Sequence, residues 1–212
     1  MSDASEHAVF DHAVYAGADL DALVLEIEAR TGVRPVPGGE HESLRTHNAL
    51  LGLGAGRYLE LLAPIPGAGT PSAFGRLLSD LPDPRLFMWA VRVPDLDGFV
   101  RAGTRAGLAM GAISPMSRQP PTGPTRRWRL TTGGAGVYGG VVPFGIEWAP
   151  GAHPADDAPA GCTVAGLRAD HPEPDRMRDA LRALGVDLAI DAAATPALHL
   201  TLDAPAGRVA LQ

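Results

Sequence analysis

Glu60 is the residue whose surroundings most demand a chemical explanation. It sits in Tyr58-Leu59-Glu60-Leu61-Leu62, a run that otherwise reads as an apolar strand. A carboxylate buried in such a strand is costly unless it is paired, hydrogen-bonded or bound to a metal. A second lone carboxylate, Glu147, stands between Ile146 and Trp148 in another apolar run. Two further residues lie just ahead of Glu60. His41 follows Gly38-Gly39, which reads as a tight turn able to hold an imidazole over the mouth of a cleft. Asn48 ends the step Thr46-His47-Asn48 and can both donate to and accept from a polar ligand. The local alternative is that Asn48 or Thr46 satisfies a turn backbone and His41 is exposed. Glu60 likewise has a structural alternative, pairing with His12 or Arg57.

Parity within the strands decides where these groups point. On Val9–Tyr15, alternation sets Phe10, His12 and Val14 on one face and Asp11, Ala13 and Tyr15 on the other. On the strand ending at Trp148, Glu147 shares its face with Gly145, opposite Phe144, Ile146 and Trp148. Glu147 therefore reaches a cleft only if that face is the interior.

The rest of the chain bounds what this chemistry can be. With 212 residues, 45 % of them hydrophobic, a sizeable core is available. Gly 26 and Pro 20 imply many turns and short elements. A net charge of −6 argues against nucleic acid as the partner, and Arg126, Arg127 and Arg129 read first as a solvated strand face. The single cysteine, Cys162, permits neither an internal disulfide nor a thiolate zinc site, and reads as a core residue. No signal-like or membrane-length apolar run occurs, so a cytoplasmic protein with no membrane association is the expectation. Residues 1–6 read as a disordered leader. There is no HExxH and no Gly-x-Ser-x-Gly, which disfavours zincin and nucleophilic hydrolase chemistry. Gly52–Gly56 is glycine-rich, but a strand follows it where a nucleotide loop needs a helix, so it reads as a hairpin turn.

The elements repeat. Strand Val9–Tyr15, a helix from Asp19 to Gly32, and extended pieces at 33–36, 48–53 and 57–63 make a β-α-β-β-β unit. After a connector with a short helix at 73–81, a strand at 85–93 leads to Asp95-Leu96-Asp97, which echoes Asp19-Leu20-Asp21. A helix over Leu96, Phe99 and Val100 and strands at 109–114, 127–131 and 141–148 complete the second unit. Gly133–Gly140 reads as a loop. A third unit has a strand from Cys162, a helix at 174–184 and extended pieces at 187–190, 197–202 and 208–211. Residues 149–161 read as a linker. The domain expectation is 1–84, 85–161 and 162–212, the last structural or dimer-forming.

Several residues resemble the vicinal oxygen chelate superfamily and its glyoxalase-like domain proteins. They are Asp11-His12, Asp19-Leu20-Asp21, Gly38-Gly39-Glu40-His41, Thr46-His47-Asn48, Tyr58-Leu59-Glu60-Leu61, and Pro143 to Trp148 with His153-Pro154 beyond. The resemblance implies an α+β fold of repeated βαβββ modules. Their curled mixed sheets form a cleft, as in glyoxalase and bleomycin-resistance proteins. It further implies a divalent metal (Zn, Mn, Fe or Ni) held from the first and fourth strands of each module. Carried over by position, the ligands are His12, Glu60 and Glu147. Met88 falls where the counterpart of His12 belongs, and thioether is no ligand for such ions.

The implied function is a glyoxalase-like small-molecule enzyme acting on an oxygen-bearing substrate by isomerase, lyase or dioxygenase chemistry. Glu60 and Glu147 are its catalytic carboxylates, and His41, Asn48 and Trp148 bind substrate. The alternative is a metal-free protein that binds or sequesters a small molecule, with Met88 and the aromatic walls in its favour. Trp89, Trp128 and Trp148 with Phe144 line a pocket or fill the core, and His153 is a linker residue unless it folds back to the cleft. A homodimer is compatible with both readings.

Overall fold

The computed structural model describes residues 8–67, 72–120, 123–133 and 138–212. The leader, the Thr70-Pro71 helix start and the middle of the Gly133–Gly140 loop lie outside the described residues. The first module is β1 (Val9–Ala16), α1 (Leu20–Thr31), β2 (Val36–His41), β3 (Thr46–Gly52) and β4 (Tyr58–Pro64). Asp19 caps α1 by accepting from the Ala22 amide at 3.0 Å, and Gly32 ends it in the left-handed region at φ 75°. After α2 (Ala73–Ser79), the second module is β5 (Arg85–Arg92), α3 (Leu96–Arg105), β6 (Ile113–Arg118), β7 (Arg126–Thr131) and β8 (Phe144–Trp148). Asp95 repeats the cap on α3, accepting from the Gly98 amide at 2.8 Å.

All eight strands form one sheet in the order β2-β3-β4-β1-β5-β8-β7-β6. β1 pairs in parallel with β4, β5 does the same with β8, and β1 meets β5 antiparallel. The sheet therefore has an approximate twofold between β1 and β5. It curls until its edges meet, where Glu40 on β2 bridges Gln119 just after β6. This is the α+β architecture of paired βαβββ modules.

Period-two alternation sorts the side chains into an outer layer under the helices and an inner layer facing the curl. On β4, Leu59 and Leu61 join the outer core with Leu23 and Ile27 of α1, while Leu62 joins the inner cluster with Val14, Trp128 and Phe144. Glu60 has the parity of Leu62 and faces inward. On β1 the alternation is interrupted. The register against β5 shifts between Phe10 and His12, so Asp11 is the extra residue of a β-bulge. Phe10 consequently packs with the outer core beside Trp89 rather than sharing the face of His12. Asp11 is left against the side chain of His12.

Two sequence expectations shift for physical reasons. Gly38-Gly39 is not a turn but lies inside β2, with a register shift between Pro37 and Gly39. Gly39 has φ 133°, and a Cβ there would overlap the Gln119 carbonyl. The actual β2–β3 turn spans residues 42–45, with Arg45 at φ 55°. The strand expected at 109–114 begins instead at Ile113, because Leu108 and Met110 are buried in the outer core, Met110 lying over Gly103 of α3. Gly52–Gly56 is a hairpin turn, with Gly54, Ala55 and Gly56 all at positive φ.

The third unit has the expected element order: β9 (Thr163–His171), α4 (Pro174–Ala183), β10 (Ala189–Ala192), β11 (Ala197–Ala204) and β12 (Gly207–Leu211). Its strand order is β10-β9-β11-β12, with β9 parallel to β10 and antiparallel to β11. First and fourth strands do not pair, unlike in the modules, so this sheet is built differently despite the similar sequence pattern. It is joined to the modules by backbone hydrogen bonds from Leu86 to the Gln212 carbonyl and from Ala206 to the Thr31 carbonyl. Among the described residues no helix is long and apolar enough to cross a membrane.

Candidate functional site

The curl of the eight-stranded sheet encloses a cavity of about 270 Å³. Its two halves differ in chemistry. His12 from β1, His41 from β2, Asn48 from β3, Tyr58 and Glu60 from β4 and Arg118 from β6 make the polar end. Phe74, Met88, Met116, Trp128, Phe144 and Trp148 make the apolar one. Trp89 is on the other side of the sheet, in the outer core, and its indole N–H donates to the Val141 carbonyl at 3.0 Å.

Glu60, only 8 % exposed, is the centre of the polar end. Its Oε1 accepts from the Asn48 amide and lies 3.9 Å from His41 Nε2. Its Oε2 lies 3.7 Å from His12 Nε2, beyond hydrogen-bond length. His12 is held from behind by Asp11, whose Oδ1 is 2.7 Å from His12 Nδ1. The other Asp11 oxygen accepts from Trp148 Nε1 at 3.2 Å and lies 3.1 Å from His153 Nε2. Burial pushes the Asp11 carboxyl up, but the hydrogen bonds and charges of His12 and His153 outweigh it and hold it below the usual carboxylate range. Asp11 is therefore ionised, His12 Nδ1 is the donor to it, and Nε2 is the nitrogen presented to Glu60. His12 also stacks on Tyr58, with ring centroids 4.5 Å apart.

Burial, opposed in part by Glu60, pulls the His41 imidazole down to about 4, so it is neutral at pH 7. Its Nδ1 lies 3.1 Å from Thr46 Oγ1. Burial and then the Glu60 and Asp11 charges push the Tyr58 phenol well above its ordinary value, so it remains a neutral hydroxyl. Arg118 Nη1 donates to Asn48 Oδ1 at 2.9 Å. Asn48 thus joins the guanidinium to Glu60, its carbonyl taken by one and its amide by the other. Gly38 permits this arrangement, because a Cβ there would overlap both Asn48 Oδ1 and Arg118 Nη1. Arg118 Nη2 is buried with no hydrogen-bond partner among the described residues.

A family model described as a glyoxalase-like domain matches residues 10–185. The chain belongs to that family. It is a glyoxalase-like domain protein of the vicinal oxygen chelate superfamily. No protein of curated function matches the sequence. A hypothetical protein from Staphylococcus aureus shares the fold at TM-score 0.68 and 13 % identity, over 90 % of this chain and 88 % of that one. Methylmalonyl-CoA epimerase from Mycobacterium tuberculosis is similar at TM-score 0.46 and 24 % identity, over 67 % of this chain and 89 % of that one. A methylmalonyl-CoA epimerase in complex with methylmalonyl-CoA and NH4+ gives TM-score 0.49 and 22 % identity, over 68 % and 96 %.

Superfamily members often carry a divalent metal, and the donor set of this glyoxalase-like domain can be compared with what such an ion needs. Strand register identifies the twofold counterparts. His12 pairs with Ala90 and Val14 with Met88, so the twofold exchanges His12 with Met88 and Val14 with Ala90. Val14 pairs with Glu60 on one side and Ala90 with Phe144 on the other, so the counterpart of Glu60 is Phe144. Two of the four symmetric positions thus hold a thioether and a phenyl ring. The remaining imidazoles face different oxygens of one carboxylate, and Asn48 already occupies Oε1. Among the described residues no group of three His, Cys, Asp or Glu side chains is arranged to hold a metal ion. The residues present do not fit the four-ligand site that the resemblance implied.

Glu147 is the clearest correction. It has the outward parity of Gly145 on β8, while Phe144, Ile146 and Trp148 line the cavity. Its carboxylate takes two hydrogen bonds from Arg129 Nη2, each 2.9 Å, and one from the Leu96 amide at the start of α3, 3.1 Å. It ties the helix to the sheet and does not line the cavity. His12, His41, Asn48, Glu60 and Trp148 do converge on the cavity. His153 is not a free linker residue but folds back, its ring 5.1 Å from that of Trp148. Asp11, Tyr58 and Arg118 were not anticipated as site residues. The adjacent Asp11-His12 pair was the available signal for the first; nothing near Arg118 in sequence marks it.

Proposed function

We propose that the cleft binds an oxygen-bearing small molecule with an apolar body and moves a proton at Glu60 without a resident divalent metal. The observation that supports this is Glu60 Oε2, a carboxylate oxygen of a cavity-lining residue without a hydrogen bond among the described residues, backed by the Asp11–His12 pair. Such an oxygen is placed to remove a proton from a carbon next to a carbonyl group. The C–H bond breaks, the proton passes to Glu60, and the electron pair moves onto the carbonyl oxygen. His12 Nε2 is the neighbour through which the Glu60 proton can be balanced. The apolar end takes the rest of the molecule against Trp128, Trp148 and Phe144. Isomerisation or lyase chemistry begins with this step.

The substitution of Met88 and Phe144 at the twofold positions favours a second reading, a sequestration protein with no chemistry. Deuterium incorporation separates the two. A panel of small oxo acids and thioesters is incubated with the protein in D2O and followed by NMR. The enzyme reading expects exchange at the carbon next to the carbonyl for at least one member, lost in Glu60→Gln and retained in Glu147→Gln. Binding of panel members without exchange in any of them leaves the sequestration reading.

A further inference from the structure

We infer that Arg118 is the receptor for an anionic head group, so that the cleft takes organic carboxylates rather than neutral molecules. This rests on the reading that the cavity is the ligand site. Arg118 is 3 % exposed and its guanidinium makes no ion pair among the described residues. One of its terminal nitrogens is satisfied by Asn48, while Nη2 is buried and unpartnered in a residue that lines the cavity. Burial pulls its pKa below the ordinary value, which reports the cost of keeping this charge out of water. A buried N–H without an acceptor is costly, and native proteins keep few of them. A carboxylate oxygen in the cavity would satisfy both the hydrogen bond and the charge, in the planar geometry that guanidinium favours.

Glu60, whose charge acts on Arg118, does not take this role. Glu60 accepts from the Asn48 amide, and Asn48 stands between it and Arg118. The backbone is shaped around this spacing, since Gly38 leaves room for Asn48 and Arg118 to meet. Arg118 comes from β6 of the second module and Asn48 from β3 of the first, so the receptor is assembled only when the sheet closes on itself. The walls beside it are the indoles of Trp128 and Trp148, the thioether of Met116 and the phenyl ring of Phe144. An aromatic or branched-alkyl carboxylate matches both ends.

The test is binding of 1-naphthoate and of 1-naphthamide, which have the same ring system and differ in head-group charge, measured by quenching of tryptophan fluorescence. Wild-type protein is expected to bind the carboxylate at least tenfold more tightly than the amide. Arg118→Met should bring the ratio to about one, and Arg118→Lys, which keeps the charge without the planar fork, should fall between. Glu60→Gln should keep or increase the preference, because it removes a negative charge from the cavity. Equal binding of the two probes by wild-type protein overturns the receptor while leaving proton transfer at Glu60 standing. Binding of neither probe overturns it as well. Because the wild-type ratio decides, a poorly folding variant does not protect the proposal.

Discussion

The two halves of the curled sheet share a backbone and differ in what they present to the cavity. The first module offers His12 and Glu60, backed by Asp11; the second offers Met88 and Phe144 at the corresponding positions. A symmetric fold does not enforce a symmetric site. The polar half needs a support network, because each buried polar group must find partners. Met88 and Phe144 need none and are free to shape a binding wall. The same contrast separates Glu60 from Glu147. Both are single carboxylates in apolar strands, yet one faces the cavity and the other pins α3 to the outside of β8.

The largest effect is expected at Asp11, which is wholly buried and bonded to His12, Trp148 and His153. Asp11→Ala leaves those groups without their acceptor and should cost about 3–5 kcal/mol in urea denaturation. No position of the apolar half should approach this through lost polar contacts.

A pH effect of similar order should come from His41. Its folded pKa of about 4 lies below the ordinary 6.5, so the unfolded chain takes up the proton more readily. Stability is therefore fully present above pH 6.5 and declines as pH falls towards 4, by on the order of 3 kcal/mol. Denaturation midpoints across that range should slope in wild type and flatten in His41→Gln. A wild-type profile that is flat would place His41 outside the buried network.

Gly38→Ala should cost about 1–3 kcal/mol, since the added methyl meets the Asn48–Arg118 contact that closes the sheet. It should also lower the preference for naphthoate, whereas a purely local backbone effect would change stability alone. The smallest effect is expected from Glu147→Gln, about 1 kcal/mol or less in stability, with probe binding unchanged. Loss of binding in that variant would mean that the outer face communicates with the cavity.

Much of the fold was legible because helix caps, stops and strand parity are local signals. Asp19 and Asp95 cap their helices as the repeated Asp-Leu-Asp implies. Parity also warned that Glu147 and Phe144 cannot share a face. The Asp11 bulge was not legible, since one extra residue leaves no mark in composition but redirects the side chain. Nor was Arg118, which meets Asn48 across 70 positions of sequence through closure of the sheet. The glycines at 38 and 39 read as a turn in sequence because a close approach between strands and a tight turn favour the same residue. The third unit shows the limit of repetition: equal element order was compatible with different strand pairing.

The central claim is that this cleft works from one polar end without the four-ligand metal site of its superfamily. Metal analysis of protein purified without an affinity tag, with melting curves in added Zn, Mn, Fe or Ni salts, tests it most directly. The account predicts less than stoichiometric metal and an unchanged melting temperature. One tightly held ion per chain, lost in His12→Ala/Glu60→Gln, would contradict it.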